Sequence, residues 1–510
     1  MTDLTVLAPA TGEVVGTHEV ADAAAVEAAV ARARETAVWW GGLDHAGRRQ
    51  VLEQWKAVLA RRMPQLADVV HEETGKPHGD ALLEVALAVD HLGWAARNAE
   101  RTLRRRRVGS GLLAANQAAS VEYLPLGVIG VIGPWNYPVF TPMGSIGYAL
   151  AAGNAVVFKP SELTPGCGRW LADSLREVVP DRDLLQVVVG YGETGSALCR
   201  AGVDKIAFTG SPQTGRKVMA ACAETLTPVL IESGGKDALL VDEDADVDAA
   251  ADAAAWGAFA NAGQTCTGIE RVYVHEKVHD AFLAGLTERA RKLHAGSDPE
   301  APIGPMTLER QVEVARRHID DALARGGKAV VGGPEAVGDR FIQPTVLTDV
   351  PPDSTAITEE TFSPTVTVTK VADMDEAVAL ANGTRYGLGS AVFSATRGPE
   401  LARRLRSGMT AINAVISFAA VPALPFGGVG ESGFGRIHGA DGLKEFTYAK
   451  AVARQRFRPP MPLTSFTRTE KHEVNLTTLI AVLHGRANQL SGPRGPLRLL
   501  PARKRHVMEP

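Results

Sequence analysis

Apolar positions along the chain change from a helical to a strand-like period and back. From Asp22, a residue suited to capping a helix, apolar side chains recur at Val26, Ala29, Val30 and Ala33, and a second helical stretch runs from about Arg48 to Glu73. The chain is therefore expected to open with helices. Short apolar runs follow at residues 121–124, 128–132, 155–158, 185–189, 205–208 and 229–231. The later ones are separated by segments long enough for helical crossovers, the pattern of a parallel sheet covered by helices. A second alternating block, about residues 238–421, joins strand-like runs at 271–274 and 365–369 to helix-like runs at 278–293 and 375–381. The predicted fold is α/β, with no short internal repeat.

Composition narrows the class. With 510 residues, 45% of them hydrophobic, and a net charge of −4, the chain is enzyme-sized and lacks the basic excess of a nucleic-acid binder. Cys167, Cys199, Cys222 and Cys266 form no C-x-x-C pair, so neither a metal site nor a disulfide framework is expected. No basic-then-apolar leader follows Met1, and no run reaches the ~20 apolar residues of a membrane span, so a cytoplasmic protein is expected. Residues 459–510 differ from the rest: eight Lys or Arg stand against three Glu, around an apolar island at 476–483. A solvated or subunit-packing tail is the first reading, and contact with an anionic membrane surface the alternative.

Candidate chemistry lies in four motifs. Cys266 ends Asn261-Ala262-Gly263-Gln264-Thr265-Cys266, downstream of Glu232 in Ile231-Glu232-Ser233-Gly234-Gly235-Lys236. A thiol nucleophile needs a proton acceptor, and a carboxylate can serve thiol or water. Ile132-Gly133-Pro134-Trp135-Asn136-Tyr137-Pro138 ends a strand with an amide able to donate to an oxyanion. Phe208-Thr209-Gly210-Ser211-Pro212-Gln213-Thr214-Gly215 reads as a strand entering a helix whose N-terminus suits a pyrophosphate, although it is not G-x-G-x-x-G. Each motif alone is equally readable as a core thiol, a surface carboxylate or a turn.

Together with residues 153–162, ending Phe158-Lys159-Pro160-Ser161-Glu162, and Glu359-Glu360-Thr361-Phe362-Ser363-Pro364, they resemble the aldehyde dehydrogenase superfamily in kind, order and spacing over roughly residues 5–458. Residues 201–205, 270–276 and 424–430 are similar to bacterial members that act on long-chain or carotenoid-type aldehydes. The resemblance implies that Cys266 is the nucleophile, Glu232 the base and Asn136 an oxyanion donor. It assigns Lys159 and Glu162 to the adenosine ribose, Trp135 and Ser211 to the pyrophosphate, and Glu360 and Phe362 to the nicotinamide ribose and ring, with Ile132, Ser161, Gly210 and Gly215 as further cofactor-binding residues. The implied cofactor is NAD, with NADP as alternative, because the Glu162 carboxylate would repel a 2′-phosphate. Two residues depart from the family pattern: Ser233 replaces Leu after the base, and Ser363 replaces Gly before Pro364.

The implied domains are a Rossmann-like cofactor domain at 1–105 and 126–236, a catalytic domain at 237–440, and oligomerisation strands at 106–125 and 441–458 that would build a homodimer or homotetramer. Phe140, Gly144, Thr265, Thr267, Phe418 and Phe426 are expected to line the substrate pocket, with room beside Gly144 where narrow-pocket members carry Trp. The apolar segment 415–424, free of Lys and Arg, then favours a medium- or long-chain aliphatic or an aromatic aldehyde. A semialdehyde dehydrogenase and a thiol esterase without redox chemistry are the alternatives.

Overall fold

All five residues of Val128–Ile132 are buried, as an uninterrupted apolar strand requires when helices cover both of its faces. In the computed structural model, which describes residues 3–298, 300–459 and 461–484, this strand lies inside a six-stranded sheet. The order is Gly433–Phe434, Val229–Ser233, Lys205–Gly210, Val128–Ile132, Ala155–Lys159, Leu185–Val187. Only Gly433–Phe434 runs antiparallel to its neighbour. From Val128–Ile132 the chain steps outward through Ala155–Lys159 and Leu185–Val187, then returns to the other side at Lys205–Gly210. The winding reverses between Val128–Ile132 and Lys205–Gly210, and a crevice opens at the carboxyl ends of strands flanking such a point.

Four residues beyond Ser233 the chain enters a seven-stranded sheet. Its order is Lys328–Val331, Thr345–Thr348, Thr365–Val371, Ile269–His275, Asp237–Val241, Ser390–Phe393, Ala411–Ile412, parallel except for the first pair. The two sheets belong to one compact unit, Met1–Arg106 with Val121–Ala451. The boundary expected at 236/237 does not separate two bodies, because one apolar core runs through both sheets, from Val128 and Phe158 to Leu239 and Val272. The second unit takes Arg107–Ser120 and the chain from Val452. The strands expected to mediate oligomerisation fall on a small sheet ordered Thr447–Gln455, Gln117–Pro125, Arg106–Val108.

Local differences from the sequence reading have local causes. The chain opens with an antiparallel hairpin, Asp3–Leu7 with Val14–Glu19, and not with a helix. Only Leu4 and Val6 of its first strand turn inward, too few for a visible alternation. The helical stretch at 48–73 is two helices, His45–Arg61 and Met63–Thr74. Pro64 cannot donate within a helix and is accommodated in the first turn of the second. The helix after the Val128–Ile132 strand begins at Phe140, so Asn136 stands in the turn before it. In the tail, Glu470–His484 is a helix that buries none of its side chains, and residues 485–510 lie outside the described residues. No helix among the described residues is long and apolar enough to cross a membrane.

The Phe140–Ala152 helix, buried along its whole length, is fixed at its N-terminus by a residue far away in sequence. Val139 and Phe140 donate their backbone N–H groups to Glu84 Oε1 at 2.8 and 3.1 Å. The other oxygen of Glu84 pairs with Lys76, and both side chains are completely buried. Lys76 Nζ also lies 3.9 Å from the centre of the Tyr137 ring. The carboxylate therefore satisfies two amides, meets the helix dipole and neutralises a buried ammonium. Glu84→Ala should lower the free energy of unfolding by about 3–5 kcal/mol, because it strands a buried cation. Urea denaturation followed by circular dichroism measures this.

Candidate active site

A cleft of about 1010 Å³ opens at the carboxyl ends of the six-stranded sheet. Ile132, Trp135, Lys159, Ser161, Glu162, Gly210, Ser211, Glu360 and Phe362 line it, together with Asn136, Glu232 and Cys266. Sequence motifs spread over 230 residues thus meet in one place. The chain turns into the cleft at Gly133, where any Cβ would come within 2.8 Å of both Phe158 and Pro142.

Glu232 sits near the end of Val229–Ser233, 2% exposed, and neither carboxylate oxygen has a hydrogen-bond partner among the described residues. Burial pushes its pKa up to about 7, and the nearby Thr209 hydroxyl and Cys266 thiol lower it only in part. A carboxylate with that pKa can exchange protons near neutrality. The Cys266 thiol is itself pushed well above its usual range, first by burial and then by the negative charges of Glu232, Asp237 and Glu360. It rests as a thiol that must lose its proton in order to react, and Glu232 is the adjoining acceptor.

Cys266 follows a strained turn. The helix Val247–Phe259 ends in Ala260–Gly263, where Asn261 and Ala262 take left-handed backbone angles of φ 52° and 54°. Side-chain amides hold the turn. Asn261 Nδ2 donates to the carbonyls of Asn136 (3.2 Å) and Gln264 (3.1 Å), and Gln264 Nε2 to those of Asn261 (3.1 Å) and Pro305 (3.3 Å). Gln264 Oε1 accepts from the Thr307 N–H at 2.9 Å. Asn136 Nδ2 donates one hydrogen to the Gln264 carbonyl at 2.9 Å, which leaves the second for a ligand. Gly263 packs so closely that a Cβ would lie 2.1 Å from the Ser363 carbonyl oxygen. The Cys266 turn and the 359–364 loop therefore constrain one another.

That loop is anchored by Glu270, which the sequence reading did not assign. Its carboxylate accepts from Thr361 N at 2.8 Å and Phe362 N at 2.9 Å and pairs with buried Lys236, which also donates to Thr361 Oγ1 at 2.9 Å. Phe362, at φ 52°, meets Trp135 edge-on with ring centres 5.6 Å apart. Glu360 accepts from Gly235 N at 3.1 Å, and burial raises its pKa to about 8. The available signal was two charged residues, Glu270 and Arg271, heading a strand in which every residue is buried. Thr141, Glu193, Ser196, Gln311 and Tyr386 also line the cleft and carried no motif.

Several expected positions lie elsewhere. Gly215 is outside the cleft and lets its helix close on the sheet, since a Cβ would meet Ile231 at 3.3 Å and Phe208 at 3.5 Å. None of Phe140, Gly144, Thr265, Thr267, Phe418 and Phe426 lines it; all are buried behind it, with Thr265 Oγ1 3.0 Å from the Tyr137 hydroxyl. The room expected beside Gly144 is filled, because a Cβ there would come 2.6 Å from His438 Nε2 and 2.9 Å from Ile437 Cδ1. Of the two departures, Ser363 Oγ lies 3.1 Å from the Thr365 hydroxyl oxygen, and Ser233 Oγ is buried without a hydrogen-bond partner among the described residues.

The cleft suits a dinucleotide. Lys159, 4% exposed, donates to the Pro160 carbonyl at 2.9 Å and stands 3.9 Å from Glu162, leaving donors for ribose hydroxyls. Ser211 caps the helix Pro212–Ala223, whose N-terminus opens on the cleft at the switch point, where a pyrophosphate would be held. Glu360 and Phe362 stand toward Cys266, where they would hold the nicotinamide end.

This combination of a doubly wound sheet, a dinucleotide cleft and a thiol with an adjoining carboxylate defines a cofactor-dependent oxidoreductase. The aldehyde dehydrogenase family model matches residues 1–452, and the chain belongs to that family. It is an enzyme of that family and uses NAD(P). It is 37% identical over 498 residues to 4,4'-diapolycopene aldehyde oxidase of Methylomonas sp, covering 97% of this chain and 94% of that one. It is also 37% identical over 487 residues to a protein of Mycolicibacterium smegmatis named as a putative NADP(+) succinate-semialdehyde dehydrogenase, covering 93% and 94%. Among solved structures, an NAD-dependent aldehyde dehydrogenase from Sinorhizobium meliloti superposes with TM-score 0.86 at 34% identity, covering 91% of this chain and 93% of that one. PnpE, from Pseudomonas sp. WBC-3, superposes in its complex with nicotinamide adenine dinucleotide with TM-score 0.85 at 34% identity, covering 90% and 96%.

Glu270→Ala should release the Thr361 and Phe362 amides and weaken NAD(P) binding by about tenfold or more, the equivalent of about 1.5–3 kcal/mol for bonds to a charged acceptor. Isothermal titration with NAD measures it, and Glu270→Gln, which keeps an acceptor oxygen, should lose less.

Proposed function

We propose that the chain oxidises an apolar aldehyde of medium length, aliphatic or aromatic, to its carboxylic acid with NAD, through a covalent adduct on Cys266. The observation that carries this reading is the meeting of Cys266, the dry Glu232 carboxylate and the Asn136 amide at one end of the dinucleotide cleft. Sγ of Cys266 attacks the carbonyl carbon, its proton passes to Glu232, and the carbonyl electron pair moves onto oxygen. The oxyanion is held by the second Asn136 Nδ2 hydrogen and the Cys266 backbone N–H. The chemistry that NAD supplies when bound is acceptance of hydride. Once Glu232 has released that proton to solvent through the cleft, it takes a proton from the water that attacks the Cys266 thioester; the C–S bond breaks, Glu232 returns this proton to Cys266 Sγ, and the acid leaves. A base at this position supports water as the acyl acceptor, in preference to a second thiol.

Glu162 beside Lys159 supports NAD over NADP, since a carboxylate next to the ribose hydroxyls repels a 2′-phosphate. The absence of Lys and Arg from residues 415–424 supports an apolar substrate. Relatives at equal identity are named for a carotenoid aldehyde and for succinic semialdehyde, so identity does not choose between these. The exposed edge strand Thr447–Gln455 supports self-association into a homodimer or homotetramer.

Absorbance at 340 nm with NAD should show Cys266-dependent reduction that Cys266→Ala abolishes, and Glu232→Gln should lower steady-state turnover about 100-fold or more. Because the acting form of Glu232 is the carboxylate, activity should rise with pH through about 7, and this limb should vanish in Glu232→Gln. Hexanal and benzaldehyde should exceed succinic semialdehyde in kcat/KM by about tenfold or more. The opposite preference would contradict the substrate assignment.

A further inference from the structure

Behind the cleft, one side chain occupies the space that another lacks. Thr141 lines the cleft, and Gly144 lies three residues on, along the same face of the Phe140–Ala152 helix. The volume that a side chain at 144 would fill is held by His438, whose Nε2 would lie 2.6 Å from a Cβ placed there. His438 is 0% exposed, and neither ring nitrogen has a hydrogen-bond partner among the described residues. Its ring is surrounded by those of His91 (4.0 Å between centres), Phe140 (5.4 Å), Tyr148 (5.6 Å) and Phe426 (5.6 Å).

The backbone also holds His438 where it would not settle by itself. Its φ of 63° with ψ of 165° belongs to a region that glycine enters freely and histidine does not. The neighbours impose it: Ile437 exchanges both backbone hydrogen bonds with Phe426, at 2.7 and 2.9 Å, and Gly442 N donates to the His438 carbonyl at 2.8 Å. Burial and the adjoining His91 push the imidazole pKa well below its usual value, so the ring is neutral. A strained backbone and two unsatisfied nitrogens both oppose folding, yet the fold places this ring where it fills the helix face that continues the cleft.

We infer that His438 is the plug that ends the aldehyde pocket, acting by volume to set the length of acyl chain that can lie against Cys266. The inference rests on the proposed function, in which the aldehyde reaches Cys266 through the cleft that Thr141 lines. Without the ring, the space would be walled by Phe140, Tyr148, Phe426 and His91 and would extend the cleft by about one helical turn, about 5 Å.

His438→Gly removes the ring and tolerates the backbone angle, whereas His438→Leu keeps a comparable volume without the nitrogens. Each variant is compared with the wild type, with NAD present, for binding of decanamide, an unreactive analogue, by isothermal titration. The ratio of kcat/KM for decanal to that for propanal is measured beside it. His438→Gly should bind decanamide about tenfold more tightly and raise the ratio by a similar factor, while His438→Leu stays within about twofold of wild type. A folded His438→Gly enzyme with unchanged decanamide affinity and unchanged ratio would overturn the inference, as would a Leu variant that behaves like Gly. If decanamide binding separates Gly from wild type but no aldehyde gives Cys266-dependent reduction, the plug stands and the proposed reaction fails.

Discussion

A buried carboxylate at the cleft, its charge little compensated by its surroundings, is the constraint on which the site depends. Glu232 lies near the end of a strand of the six-stranded sheet, with both oxygens buried and without a close hydrogen bond among the described residues. In that setting charge is disfavoured, so the proton affinity of Glu232 rises to about 7 and its proton can be traded with a thiol or a water. A well-hydrogen-bonded carboxylate would be a weaker base. Leaving this group unsatisfied costs stability locally, and the surrounding structure must be rigid enough to keep donors away.

Rigidity comes from one device used twice. Glu84 and Glu270 are buried carboxylates, each paired with a buried lysine and each accepting two successive backbone amides of an element beside the cleft: Val139 and Phe140 in one case, Thr361 and Phe362 in the other. Buried ion pairs of this kind add little net stability, because desolvation offsets attraction. Their effect here is positional. One sets where the helix after Asn136 begins, and the other sets the left-handed Phe362 beside Trp135. Glu73 is a third buried carboxylate on backbone amides, those of Gly166 and Cys167, and burial raises its pKa to about 7.

Much of this was legible in the chain. The buried strands were visible as apolar runs because parallel strands covered on both faces leave no polar alternation, and cleft residues at strand ends were visible as motifs because backbone turns there demand Gly, Pro and Asn. The opening hairpin was not, since only two of its residues reach a core. Lys76, Glu84, Lys236 and Glu270 were also missed: a single charged residue in a sequence says nothing about burial or about a partner brought in by the fold. The error at Gly144 is of the same kind. A missing side chain reads as empty space, yet space is decided by what packs there, and His438 lies 294 residues away in sequence.

The proposed reaction passes through a covalent adduct on Cys266 that Glu232 resolves. Mixing Glu232→Gln enzyme with NAD and hexanal, quenching in acid and locating the modified peptide by mass spectrometry tests it most directly. The expected result is a hexanoyl adduct on Cys266 that accumulates toward one per active site during a long incubation, because the variant lacks the base for hydrolysis while Cys266, which lines the cleft, can still pass its proton to solvent. No adduct during observed NAD reduction, or an adduct on Cys167, Cys199 or Cys222, would contradict it.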